Sequence, residues 1–184
     1  DFGEFALGIE RVGGFAKTKI LPILNKIKGI TIEAIADVSP TNMINVARTY
    51  KAQSPTTDYK TMLQSEINAV VIATPHFLHA DQSIDFMMAG KAVFVEKPAA
   101  VNFDQLNKLE DFFAQNKGFF YCVDFNRPFS PFMIDIKNVL KKRNNPAMIS
   151  YRMNAGFMSK DYWINSPQNG GRIIGEACHI FDLF

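Results

Sequence analysis

Through the first two thirds of the chain, short apolar runs alternate with segments of helical spacing. The runs at residues 4–9, 29–36, 69–73, 91–95 and 119–123 are rich in Ile, Val and Phe and mostly apolar on both faces. Strands covered by helices on each side must look like this, and a shorter strand is expected near 54–57. Between them, Ile20, Ile23, Leu24 and Ile27 form one helical stripe, Ile84, Phe86, Met87 and Met88 a second, and Phe103, Leu106, Leu109, Phe112 and Phe113 a third. Such stripes predict core packing. Ser39-Pro40-Thr41 and Asn102 signal helix starts, and Gly90 and Gly118 signal stops. Strand, helix, strand at this rhythm predicts right-handed βαβ units and a parallel sheet. Past Val123 the rhythm breaks at Asn126-Arg127-Pro128-Phe129-Ser130-Pro131. A helix is expected over 132–140, a strand over 147–155, a polar loop over 159–171 and an apolar helix from 173 to 184. The pattern divides the chain into residues 1–123 and 124–184.

Composition narrows the class. The 184 residues are 47% hydrophobic and 21% charged, which excludes long disorder, collagen and coiled coil. Twenty Lys and Arg against eighteen Asp and Glu leave a net charge of +2 with no basic block, so nucleic acid is not an expected partner. The longest apolar runs fall far short of the ~20 residues that span a bilayer. The opening lacks the pattern of a signal peptide, and Cys122 and Cys178 read as reduced thiols of a cytoplasmic protein. The chain opens on Asp1 and stops at Phe184 inside an apolar pattern, and so reads as a piece of something longer.

The candidate chemistry lies at the strand ends. A dinucleotide needs a glycine-rich turn between first strand and first helix, where its pyrophosphate meets backbone N–H groups. Here the stretch is Gly8-Ile9-Glu10-Arg11-Val12-Gly13-Gly14-Phe15-Ala16. Gly13 and Ala16 fill the second and third places of G-x-G-x-x-G/A, while Arg11 stands in the first. Arg11 either obstructs the pyrophosphate or grips it. Asp37 follows Gly13 by twenty-four residues, at the end of the second strand, where an acid hydrogen-bonds the adenosine ribose diol. No Lys or Arg follows between Val38 and Ala47, which favours NAD over NADP. The fourth and fifth strands end at Thr74-Pro75-His76-Phe77-Leu78-His79 and at Glu96-Lys97-Pro98. A lysine directly after a buried strand is partly desolvated and suited to move protons. His76, His79 and His179 do not cluster with further ligands, so no metal is expected. Glu176, His179 and Asp182 share one face of the last helix at three-residue spacing, a carboxylate–imidazole–carboxylate arrangement suited to a proton relay.

Together these residues resemble the Gfo/Idh/MocA oxidoreductases. The specific pieces are Ala73-Thr74-Pro75 with His79, Gly90-Lys91 leading into Phe94-Val95-Glu96-Lys97-Pro98, and the block from Gly170 to Asp182. Residues 124–131, 151–156 and 161–163 resemble more narrowly a bacterial subgroup whose members are sometimes fused to a zinc-type alcohol dehydrogenase module. The resemblance implies a Rossmann-type doubly wound α/β domain over 1–123, with 124–184 opening an α/β open-sheet substrate and oligomerisation domain. It implies hydride transfer between NAD and a sugar, polyol or nucleotide sugar, and a homo-oligomer when full length. Lys97 and His179 match the family's catalytic pair, and Glu176 stands in for an aspartate that many relatives place one residue earlier, where this chain has Gly175. Gly8, Gly13, Gly14, Phe15, Ala16, Asp37, Thr74, Pro75, His76, His79, Glu96, Lys97 and Asn126 would then face the cofactor. Arg127, Asn154, Trp163, Arg172 and His179 would face the substrate. A second reading is a catalytically silent dinucleotide- or sugar-binding regulator on the same scaffold. A lost lysine or histidine would favour it, and both are present.

Overall fold

The expected strands pair side by side in a computed structural model, which describes residues 5–184. They are β1 (Phe5–Glu10), β2 (Ile30–Ala36), β3 (Ser54–Thr56), β4 (Ala69–Ile72), β5 (Ala92–Val95) and β6 (Tyr121–Val123). Glu4, expected to open the first strand, lies outside the described residues. All neighbours run parallel in the order β3-β2-β1-β4-β5-β6. The order reverses at β1/β4, and a crevice must open there outside the strands' carboxyl ends. This is a Rossmann-like α/β fold.

Helices cover both faces of the sheet: α1 (Leu21–Leu24), entered through a π-helical turn over Ala16–Ile20, then α2 (Pro40–Tyr50), α3 (Lys60–Leu63), α4 (His79–Met88) and α5 (Phe103–Gln115). Two further helices, α6 (Pro131–Leu140) and α7 (Cys178–Leu183), follow the last strand. The Ser39 hydroxyl caps α2 by accepting from Asn42 N, and the Asn102 side chain caps α5 by accepting from Gln105 N. Gly90 ends α4 with a φ of +76°, the left-handed conformation that glycine takes without strain. Gly118 shares that conformation but stands three residues past the end of α5.

Side chains along a strand alternate between faces, which builds two cores. Leu7 and Ile9 of β1 join Leu21, Met43 and Val46 on one face. Val70 and Ile72 of β4 join Met62, Ile67, Phe86, Met87 and Phe112 on the other. The helical stripes are buried only in part: Ile23, Met88 and Phe103 are exposed beside the buried Leu21, Phe86 and Phe112. A short helix wraps only part of its circumference against a sheet, so the outer edge of each stripe faces solvent.

Residues 147–155 form no strand, contrary to the sequence reading. A strand needs a ladder partner for its N–H and C=O groups, and among the described residues no strand follows Val123 to supply one. The segment is irregular and exposed, and α6 buries none of its residues.

Candidate active site

The ladders of the sheet carry on one residue past each strand and fix where the loops begin. Arg11 N donates to Ala36 O, Ala73 N to Glu10 O, Glu96 N to Ile72 O and Asp124 N to Val95 O, each at 2.9 Å. Four loops therefore leave the sheet at one level, along its carboxyl edge.

Two adjoining cavities occupy this edge. The first, about 420 Å³, is lined by Arg11, Gly13, Gly14, Phe15, Ala16, Thr74, Pro75 and Asn169 among others. The second, about 380 Å³, is lined by Thr74, His76, His79, Glu96, Lys97, Asn126, Trp163, Glu176 and His179. Phe15, Ala73, Thr74, Tyr162 and Trp163 border both, so the two form one cleft. A Cβ at Gly13 or Gly14 would stand in open space. The bare turn thus leaves room for a phosphate group to approach the backbone, the property a dinucleotide requires.

Five of the expected positions lie outside the cleft lining. Gly8 belongs to β1, where a Cβ would run into the ends of Met62 and Ile67; its glycine serves helix–sheet packing and not the cleft. Asn154 is exposed in the irregular segment after α6, and Arg172 lies outside the cleft lining. Arg127 donates to the Tyr151 hydroxyl at 3.1 Å. Asp37 has turned inward. Its Oδ2 accepts from Val12 N and Asn42 Nδ2, both at 3.0 Å, and its Oδ1 from Ser39 N at 2.8 Å.

At the other end of the cleft, Lys97 Nζ donates to Gly175 O at 2.7 Å and lies 3.4 Å from Glu176 Oε1. Glu176 therefore pairs with the lysine, where the sequence pattern assigned it to the histidine. A π-helical turn over Ile173–Ala177 is the reason, since its wider winding shifts the face that three-residue spacing assumes. Asp182, expected on that face, is exposed. His179 is buried, stacks edge-on against Phe125, and its Nδ1 has no hydrogen-bond partner among the described residues. Burial, and then the charges of Arg127 and Lys97, hold its imidazole below the usual histidine range. It is neutral at pH 7 and has a free lone pair to accept a proton.

The other two imidazoles act as struts. His79, fully buried, places its two ring nitrogens 2.8 Å from Pro98 O and 2.9 Å from Thr74 O, and so ties the loops after β4 and β5 together. His76 Nδ1 lies 3.2 Å from Asn169 O, its ring meets Trp163 edge-on, and burial lowers its pKa to about 4. Among the described residues no group of three or more His, Cys, Asp or Glu is arranged to hold a metal ion, and no helix is long and apolar enough to cross a membrane.

Arg11 walls the cleft at the turn where the sequence places it, whereas Tyr162 as a lining residue, Asn169 as the support of His76 and the Gly175 carbonyl as the acceptor for Lys97 are not legible in the sequence. Gly175 did carry a signal, because a small residue beside a polar helix face permits close approach. A Cβ there would collide with His76 and Ile164.

Glu10 is a further surprise. It ends β1 on the face toward α4, buried, with Oε2 unpartnered among the described residues. Burial, only partly offset by Gln82, pushes its pKa up to about 8. Between the unfolded value near 4.5 and about 8 the folded state holds a proton that the unfolded state has lost. Its contribution is complete below the lower value and drains away as pH rises through the upper one. Glu10→Gln should therefore flatten the decline in stability across this window and leave the protein more stable at its alkaline end. Urea unfolding of both proteins at stepped pH reads this directly, and parallel pH curves would refute it.

Comparisons with known proteins agree on the first two thirds of the chain. A family model described as "Oxidoreductase family, NAD-binding Rossmann fold" matches residues 8–125. Levoglucosan dehydrogenase of Pseudarthrobacter phenanthrenivorans is 27% identical over 163 residues, covering 82% of this chain and 41% of the relative. Inositol 2-dehydrogenase of Rhizobium meliloti is 32% identical over 107 residues, covering 58% of this chain and 32% of the relative. Among solved structures, scyllo-inositol dehydrogenase from Lactobacillus casei with bound NAD(H) and scyllo-inositol superposes with a TM-score of 0.70 at 24% identity, over 75% of this chain and 41% of that one. The chain thus spans less than half the length of these proteins.

Proposed function

The chain belongs to the Gfo/Idh/MocA oxidoreductase family, whose matching domain is an NAD-binding Rossmann fold, and from that premise we propose that it carries the cofactor cleft and proton-transfer groups of an NAD-dependent dehydrogenase. The substrate class is a secondary alcohol of a sugar, polyol or nucleotide sugar, in keeping with the inositol and levoglucosan dehydrogenases among its relatives. The observation that carries the reading is that Lys97 and a neutral, buried His179 line one cavity, continuous with the glycine turn after β1.

Bound at this edge, a nicotinamide would supply the hydride chemistry. The protein's part is to position groups and handle the proton. Lys97, held by Gly175 O and balanced by Glu176, offers N–H donors to the substrate oxygen. His179 accepts the hydroxyl proton as the carbon is oxidised and returns it in the reverse direction. Tyr162 and Trp163 wall the junction of the two cavities.

We read residues up to 123 as the cofactor domain and 124–184 as the opening of a substrate domain, in a cytoplasmic homo-oligomer. The unpaired Cys122 and Cys178 suit a reducing compartment. The test is NADH formation with a panel of cyclic polyols and sugars across pH. Because His179 is held below 6.5, oxidation should stay level through neutral pH and fall only on the acid side as the imidazole protonates. His179→Asn should lose that acid limb together with most of the turnover. Dinucleotide binding without turnover on any polyol would favour the silent regulator instead.

A further inference from the structure

We propose that Arg11 is a specificity-determining residue of the dinucleotide cleft, one that admits a 2′-phosphate on the adenosine ribose and so narrows the preference for NAD(H) over NADP(H). The inference rests on the dinucleotide reading above. Discrimination against NADP(H) in this fold depends on an exposed carboxylate after β2, which bonds the ribose diol and repels the phosphate. Here the Asp37 side chain is only 2% exposed. A carboxylate has about four acceptor positions, and Val12 N, Ser39 N and Asn42 Nδ2 take three of them. What faces the cleft beside it is the guanidinium of Arg11, 38% exposed, with Nε 3.8 Å from Asp37 Oδ2.

At that separation the guanidinium is close enough to offset the carboxylate's charge and too far to spend an N–H donor on it. A guanidinium with donors to spare beside a ribose site is matched to phosphate oxygens in charge and in planar geometry. The same corner holds a second cation. Lys17 Nζ donates to Asn42 Oδ1 at 2.8 Å, and that Asn42 amide in turn donates to Asp37. The backbone supports a committed role for the side chain, because Arg11 holds a φ of +73°, a conformation that glycine would adopt with less strain. The guanidinium is kept at a place where the turn itself would favour its loss.

The experiment is calorimetric titration of the 184-residue chain and its variants with NADH and with NADPH, read as the ratio of the two dissociation constants. A ratio does not depend on the fraction of folded protein, so a destabilised variant remains informative. Arg11→Gln should raise the NADPH-to-NADH ratio at least tenfold above wild type, about 1.4 kcal/mol of selectivity. Arg11→Gly, which also relaxes the turn, should shift the ratio the same way, and Arg11→Lys should leave it close to wild type. A ratio unchanged or lowered in both neutral variants, with both nucleotides still binding, overturns the role of Arg11 and leaves the cofactor reading intact. If wild type binds neither nucleotide, both fall together.

Discussion

Replacing Lys97 by methionine should lower turnover by roughly 10²–10⁴, the usual worth of a positioned proton-transfer group. The affinity for NAD(H) should change far less. Methionine keeps the length of the side chain and removes only the ammonium that bonds Gly175 O and faces Glu176. The cost therefore falls on kcat and kcat/KM together, the mark of an interaction made in the transition state. Glu176→Gln should cost much less, since it weakens the balance of charge around Lys97 without displacing the donor. Steady-state kinetics on an active polyol separates the outcomes. A methionine variant with near-normal turnover would remove Lys97 from the mechanism.

The second large effect is on stability. Phe86 on α4 is fully buried among Met62, Ile72, Met87, Val93 and Phe112, with the Tyr59 ring 5.8 Å away. Truncation to alanine removes the whole ring from a core assembled from a sheet and three helices, which cannot all move in to fill the space. Phe86→Ala should destabilise the fold by about 3–5 kcal/mol. Urea unfolding should show a lower midpoint with an unchanged slope. A loss near that of a surface substitution would mean that the α4 side of the sheet is not the core described above. The outward Phe103, 80% exposed, serves as the control.

Strand positions were readable from the sequence because a strand buried on both faces is apolar throughout, whatever its neighbours. The cleft followed from them, since parallel topology places every loop of interest at one edge. What stayed hidden depended on facts that spacing does not carry. The run at 147–155 looks like a strand in isolation, but pairing is a property of two segments. At Arg11 the pattern points the side chain at the pyrophosphate and carries no sign that it sits beside Asp37, because a cation at the end of the second strand can also arrive from the first. Regular winding places Glu176 on the face of His179, and the π-helical turn moves it to Lys97. Tyr162 and Asn169 enter the cleft from a loop without any period to reveal them.

The strand order also governs how the molecule must be made. In sequence β1 is first, yet it sits in the middle of the sheet between β2 and β4. A ribosome delivers β2 and β3 soon after β1, and these three can pair at once. The other edge of β1 waits for Ala69–Ile72 to emerge, and until then presents unpaired N–H and C=O groups to any strand that passes. Apolar runs on one side of the nascent three-stranded sheet stay bare for the same interval, because Phe86 and Met87 come later still. The interval after β3 is thus the period of greatest exposure to aggregation during biosynthesis, and the point at which a trigger-type chaperone would have the most surface to hold.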